Sequence, residues 1–203
     1  MKSRLLVTCA AFVLFLFFVT KSKADIISGP FINPNNGHTY YLLGNVAAAS
    51  VPNPFDAGQA EAVTLGGNLA TINDITEDQW VFSTFDSLAV AANPLSIRKS
   101  LLVGLTDRSV EGTFEWISGE PLSYTNWFSG QPQSNTIGED YVGIALSNNA
   151  FINDGKWHDI DFVNGDVVFA VAEVAVPEPS TSVLFVASYL VLSGVRRRKK
   201  FFS

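Results

Sequence analysis

The chain's one cysteine, Cys9, lies inside an apolar run near the N-terminus, so everything downstream must reach its fold without a disulfide. Such a chain has to be held by buried apolar area alone. The means are present, because 47% of the 203 residues are hydrophobic and 16 are Phe. About 150 residues of this kind suffice for one core.

The two ends read as processing segments. Lys2 and Arg4 precede the apolar run Leu5 to Val19, and Ser22-Lys23-Ala24 offers small residues where a signal peptidase reads, so residues 1–24 are expected to be a signal peptide. An uncleaved anchor would need roughly 20 apolar residues to span comfortably. At the other end, Val176-Pro177-Glu178-Pro179-Ser180 is barred from helix by its two prolines. An apolar stretch, Val183 to Val195, and the basic cluster Arg196 to Lys200 follow. Positive charge there holds such a segment on the cytoplasmic side. This order resembles the bacterial PEP-CTERM sorting signal. The resemblance implies that residues 176–203 anchor transiently in the inner membrane as a short transmembrane helix and are cut near Pro177 to Ser180 by an exosortase-type enzyme. A simple tail anchor is the other arrangement such an end can have. The signal peptide implies export, with the protein at the cell surface or outside the cell after transient anchoring.

Between the ends the charge balance changes. Residues 25–182 keep four basic residues, Arg98, Lys99, Arg108 and Lys156, against all 19 acids, a formal charge of −15. Such a surface repels nucleic acid and anionic lipid and suits divalent cations or neutral glycans.

Local patterns predict an α+β domain. His38 to Leu43 is strand-like. Asn53-Pro54 supplies an N-cap and a proline at the first helical position, and Gly66-Gly67 end that helix after Leu65. A second helix is expected from Thr76, with Gln79 as its capping-box partner and Trp80, Val81, Phe85 and Leu88 on one face. Short strands follow at 101–105, 113–117, 140–146 and 167–174, giving two helices and then an antiparallel region with one long loop.

The segments "LGGNLATIND" (Leu65 to Asp74), "LVGLTDRSVEGTFEWISGEPLSYTNW" (Leu102 to Trp127), "GQPQSNTIGEDYV" (Gly130 to Val142), "GKWHD" (Gly155 to Asp159) and "VAEV" (Val171 to Val174) resemble, in order, the landmarks of the C-type lectin-like domain. The resemblance runs from about His38 to Val174 and assigns residues 25–175 to that domain. It implies two helices flanking antiparallel sheets, with a long loop that carries calcium and sugar. The family's four disulfide positions correspond here to Ala62 with Ala172 and Tyr141 with Phe162, so apolar and aromatic contacts are expected where the crosslinks would be. Trp116, Trp127 and Trp157 match core tryptophans.

By the same resemblance, Gln131, Gln133, Glu139, His158 and Asp159 form the principal site, binding sugar. Of these, Gln131, Gln133, Glu139 and Asp159 also ligate calcium, while imidazole is a poor calcium ligand. Pro132, between the two glutamines, matches a proline that is cis in the family. Asp107, Glu111, Glu139 and Asp140 match an auxiliary calcium site, where Ser134 replaces one carboxylate. Calcium takes six to eight oxygens from carboxylates, amides and water. The expected function is calcium-dependent carbohydrate or exopolysaccharide binding in the envelope or extracellular matrix. A lectin-like fold used for protein adhesion or matrix structure is the alternative. With two histidines and no defensible Ser-His-Asp spacing, an enzyme is not expected.

Overall fold

The computed structural model describes residues 24–44, 53–94, 99–133, 138–147, 155–162 and 167–176. Residues 1–23 and 177–203 lie outside that set, so all but Ala24 of the predicted signal peptide and all but Val176 of the sorting signal fall there, together with Ser134. No helix among the described residues is long and apolar enough to cross a membrane.

Helix α1 (Pro54–Thr64) starts as its sequence dictates. The Asn53 side-chain oxygen accepts from the amides of Phe55 and Asp56 at 2.9 and 3.3 Å, and Pro54 occupies a position whose N–H would be unsatisfied. Gly67, just past the helix, passes so close to the last strand that a Cβ there would lie 1.8 Å from the Glu173 carbonyl oxygen. Helix α2 (Ile75–Ala92) is capped by Asp74 and not by Thr76. The Asp74 carboxylate accepts from the amides of Thr76 and Glu77 at 2.7 and 2.9 Å. A charged acceptor at the positive end of the helix dipole outcompetes a hydroxyl, which moves the start upstream.

Among the described residues, eight strands form one sheet: β1 (Asp25–Ile32), β2 (Thr39–Gly44), β3 (Asn68–Leu69), β4 (Lys99–Thr106), β5 (Glu115–Trp116), β6 (Tyr141–Ala145), β7 (Trp157–Ile160) and β8 (Val167–Val174). The main order is β1-β2-β8-β4-β6-β7, with β3 beside β8 and β5 beside β4. All pairings are antiparallel except β4 with β8, which run parallel from Lys99↔Val167 to Leu102↔Ala170. The sheet is therefore mixed. Every residue of β4 is buried, as expected of a strand covered on both faces.

Alternation along β4 divides the core. Leu101, Val103 and Leu105 join Val81, Phe85 and Ala89 of α2, while Leu102 joins Phe55 and Ala62 of α1. The positions where the family resemblance places crosslinks are filled as expected. Ala62 and Ala172 are both buried in the α1-side cluster. Tyr141 and Phe162 stack with centroids 4.8 Å apart.

A polar network joins β2, α2 and β8. The Tyr40 hydroxyl donates to Glu77 Oε1 at 2.5 Å and lies 3.0 Å from Glu173 Oε1, which also receives His38 Nδ1 at 2.6 Å. The amides of Thr71 and Asn73 donate to the second oxygens of Glu173 and Glu77. His38 thus serves structure. Burial pushes the Glu77 carboxyl above its ordinary range, against the hydrogen bonds from Tyr40 and Asn73.

Candidate functional site

The predicted loop hangs on β7. Trp127 bridges to Trp157, the Trp157 amide donates to the Asn126 carbonyl at 2.9 Å, and the Phe128 amide donates to the Trp157 carbonyl at 2.8 Å. A turn follows, closed by the Gln131 amide on the Phe128 carbonyl at 2.9 Å. The Gln131-Pro132 bond is cis, as its match in the family is. The Gln133 amide then donates to Asp159 Oδ2 at 2.6 Å, joining the Gln-Pro-Gln segment to the strand that carries the Trp-X-Asp triplet.

A second wall comes from the loop after β4. Asp107 Oδ2 accepts from the Gly112 amide at 2.8 Å, folding the segment that carries Glu111 back on itself. The Asp140 carbonyl accepts from Thr106 Oγ1 at 2.7 Å and from the Asp107 amide at 3.3 Å. Residues 106–112 are thereby tied to the end of the long loop.

Asp107 and Asp159 are 2% and 5% exposed. Burial pushes the Asp159 carboxyl up, and the charges of Asp107 and Glu111 push it further, against the Gln133 amide. Asp107 Oδ1, Asp159 Oδ1 and Gln131 Oε1 are buried without a hydrogen-bond partner. A buried polar atom left unsatisfied costs about 1–3 kcal/mol, and all three atoms are acceptors, which suits them to a cation or a hydrogen-bond donor. Glu139 Oε2 is also buried, whereas Gln133 is exposed. Carboxylate and amide oxygens of this kind fit calcium, a hard ion that takes oxygen ligands. Among the described residues, no group of three or more His, Cys, Asp and Glu makes a metal-ligand set.

The structure does not bring His158 to this cluster. Alternate residues of a strand point to opposite faces. His158 accordingly turns from Asp159 toward β4, with Nε2 2.7 Å from Ser100 Oγ. A Cβ at Gly143 would meet Ser100 Cβ at 2.7 Å, so the glycine leaves room for this pair. Burial holds the His158 pKa down to about 4, which keeps the ring neutral.

Sequence reasoning missed Asp78. This residue is 2% exposed and accepts from Trp157 Nε1 at 2.9 Å, Asn126 Nδ2 at 2.6 Å and the Tyr124 hydroxyl at 3.1 Å. Its signal was available, because it precedes Val81 by three residues and Phe85 by seven, on the apolar stripe of α2. Trp157 and Trp116 are buried as expected, and Trp127 packs half-buried against the same core.

The Lectin C-type domain profile matches residues 52–162, more than half of the chain. The mannose-binding protein of Gallus gallus is 38% identical over 72 residues, 36% of this chain and 25% of that protein. The low affinity immunoglobulin epsilon Fc receptor of Mus musculus is 37% identical over 62 residues, 30% of this chain and 17% of the receptor. The matches thus span a quarter or less of those relatives. Among solved structures, the carbohydrate-recognition domain of the human scavenger receptor C-type lectin aligns at TM-score 0.51 and 22% identity, covering 73% of this chain and 98% of that one. Herring type II antifreeze protein aligns at 0.50 and 19%, covering 70% and 93%. These two likenesses speak to the fold. With the profile match over 52–162, they lead to one conclusion: the chain belongs to the C-type lectin domain family.

Proposed function

We propose that this protein is an exported carbohydrate-binding lectin in which calcium supports the ligand loop. The observation that carries this reading is the set of buried oxygens without partners, Asp107 Oδ1, Gln131 Oε1 and Asp159 Oδ1, on the segments that flank the loop. Asp107, Glu111, Glu139, Asp140 and Asp159 would hold calcium, with Gln131 and Gln133 adding amide oxygens. Calcium, when bound, supplies positive charge and open coordination positions for sugar hydroxyls. The chain's own residues orient the site: the Gln133 amide fixes Asp159, and the Gly112 amide fixes Asp107. Such a site takes neutral glycans, in keeping with a formal charge of −15 over residues 25–182.

By the reading of its ends, the protein is exported, anchors transiently in the inner membrane and is released by an exosortase-type enzyme to act in envelope or extracellular polysaccharide. A glycan array run with calcium and with chelator tests the binding. Calcium-dependent retention of neutral glycans is expected, and no glycan bound in either condition would refute it.

A second reading rests on His158. With that ring committed to Ser100, the principal site has one side chain fewer than the matched positions imply. In this reading the lectin fold serves protein adhesion or matrix structure, and calcium only stiffens the loops.

A further inference from the structure

Among the described residues, the three side chains that donate to the buried Asp78 carboxylate come from the base of the ligand loop and from β7: Tyr124, Asn126 and Trp157. A carboxylate serving only to cap or pack its own helix would not be so placed. Each donor lies close, along the chain, to the ligand positions. Trp157 is two residues before Asp159 on one strand. Asn126 is bonded twice more to the segment 155–157 that leads into that strand, through Nδ2 to the Gly155 carbonyl at 3.1 Å and through its own carbonyl from the Trp157 amide. Its Oδ1 accepts from Lys156 Nζ at 2.5 Å. From Asn126 the path to Gln131 runs through Phe128, by the two backbone bonds already described. The segment 128–133 is thus tied at one end, through Trp157, to Asp78 and at the other, through the Gln133 amide, to Asp159.

We propose that Asp78 is a positioning residue for the ligand loop: it fixes Trp157 and Asn126 so that Gln131, Gln133 and Asp159 present their oxygens together. The inference rests on the reading of this loop as the ligand site. The chemistry calls for a carboxylate at this place. Three donors converge on it, and a carboxylate is acceptor-only with two oxygens to offer. An asparagine would keep one acceptor and set an amide N–H₂ against a donor. Burial pushes the Asp78 carboxyl above its ordinary range, against the three hydrogen bonds and the charge of Lys156, which is itself bonded to Asn126.

The test is Asp78→Asn in the full chain, read by amide and indole hydrogen exchange in chelator and by thermal shift on titration with calcium chloride. Losing a hydrogen bond to a charged group opens a segment by about tenfold or more. The Trp157 indole and the amides of Phe128, Gln131 and Gln133 should therefore exchange at least about tenfold faster than in wild type, measured relative to core amides of β4 and β8. The calcium midpoint should rise about as much. A uniform rise at loop and core alike, or no rise at the loop, would overturn the proposal. Should Asp78→Asn fail to fold, Tyr124→Phe decides, since it deletes one hydroxyl: a smaller rise confined to the same amides is expected, and unchanged exchange overturns the inference. If wild type shows no calcium shift, the calcium reading fails, while the exchange comparison still judges Asp78.

Discussion

Tyr141 and Phe162 lie ring over ring, 4.8 Å between centroids and 27° between planes, at positions matched to a disulfide in the family. Tyr141 also meets Phe55 at 4.9 Å and accepts a hydrogen bond from Asn53 Nδ2 at 2.5 Å. It therefore links the cap of α1 to the first residue of β6. Removing a buried aromatic costs about 3–5 kcal/mol, so Tyr141→Ala should lower stability by that order in urea denaturation. Phe162 is only partly buried, so Phe162→Ala should cost less, about 1–2 kcal/mol. Equal losses for the two, or none, would contradict the stack's role.

Calcium should raise the melting temperature. At a hundred times the dissociation constant, binding adds about 2.7 kcal/mol, or roughly 5–10 °C for a chain of this size. Asp107→Asn and Asp159→Asn should each abolish most of that rise. In chelator the same variants should be no less stable than wild type by more than about 1 kcal/mol, because each removes one of two buried charges of like sign. Equal calcium shifts in wild type and variants would remove these carboxylates from the site.

Gln131→Ala separates binding from folding. Its Oε1 is buried without a partner, so truncation leaves no bonded group stranded and should change stability by less than about 1 kcal/mol. Retention on a glycan column should fall at least about tenfold, the equivalent of one lost contact of roughly 1.4 kcal/mol. Unchanged retention would exclude this amide from the ligand set.

Glu77 gives the protein a pH signature. Its folded pKa is raised, chiefly by burial, so the native state holds that proton more tightly than the unfolded chain does. The sign follows: stability falls as pH rises from the ordinary carboxylate value, about 4.3, through the folded one. Glu77→Gln cannot ionise. The stability of wild type minus that of the variant should therefore shrink between pH 4 and pH 7 in chemical denaturation, and a gap that widens with pH would be inconsistent with the network.

Much of the scaffold was legible in the sequence because its signals are local. Asn53-Pro54 and Gly66-Gly67 bound α1 through backbone chemistry alone, and the apolar runs of β4, β6 and β8 are long enough to read unaided. Three strands escaped. β1 is largely exposed and carries both a proline and a glycine, β3 has two residues, and β7 is the short Trp-His-Asp-Ile segment, whose polar pair resembles loop. The parallel pairing of β4 with β8 depends on long-range register, which no local pattern encodes. At the site, the Gln133 backbone amide meets Asp159 Oδ2. His158 does not, because strand alternation overrides its adjacency to Asp159, and Asp78 went unread because its partners lie 46 to 79 residues away.

The register of β2 against β8, from Thr39↔Val174 to Leu43↔Ala170, has a consequence for biosynthesis. The middle of the sheet joins segments from near opposite ends of the domain, so a nascent chain leaving the ribosome lacks β8, the partner of both β2 and β4, until the last strand has been made. Such non-local closure is slow compared with helix formation. The centre of the sheet therefore closes only once β8 has been made, whereas the antiparallel pairs of β4, β6 and β7 need no later segment.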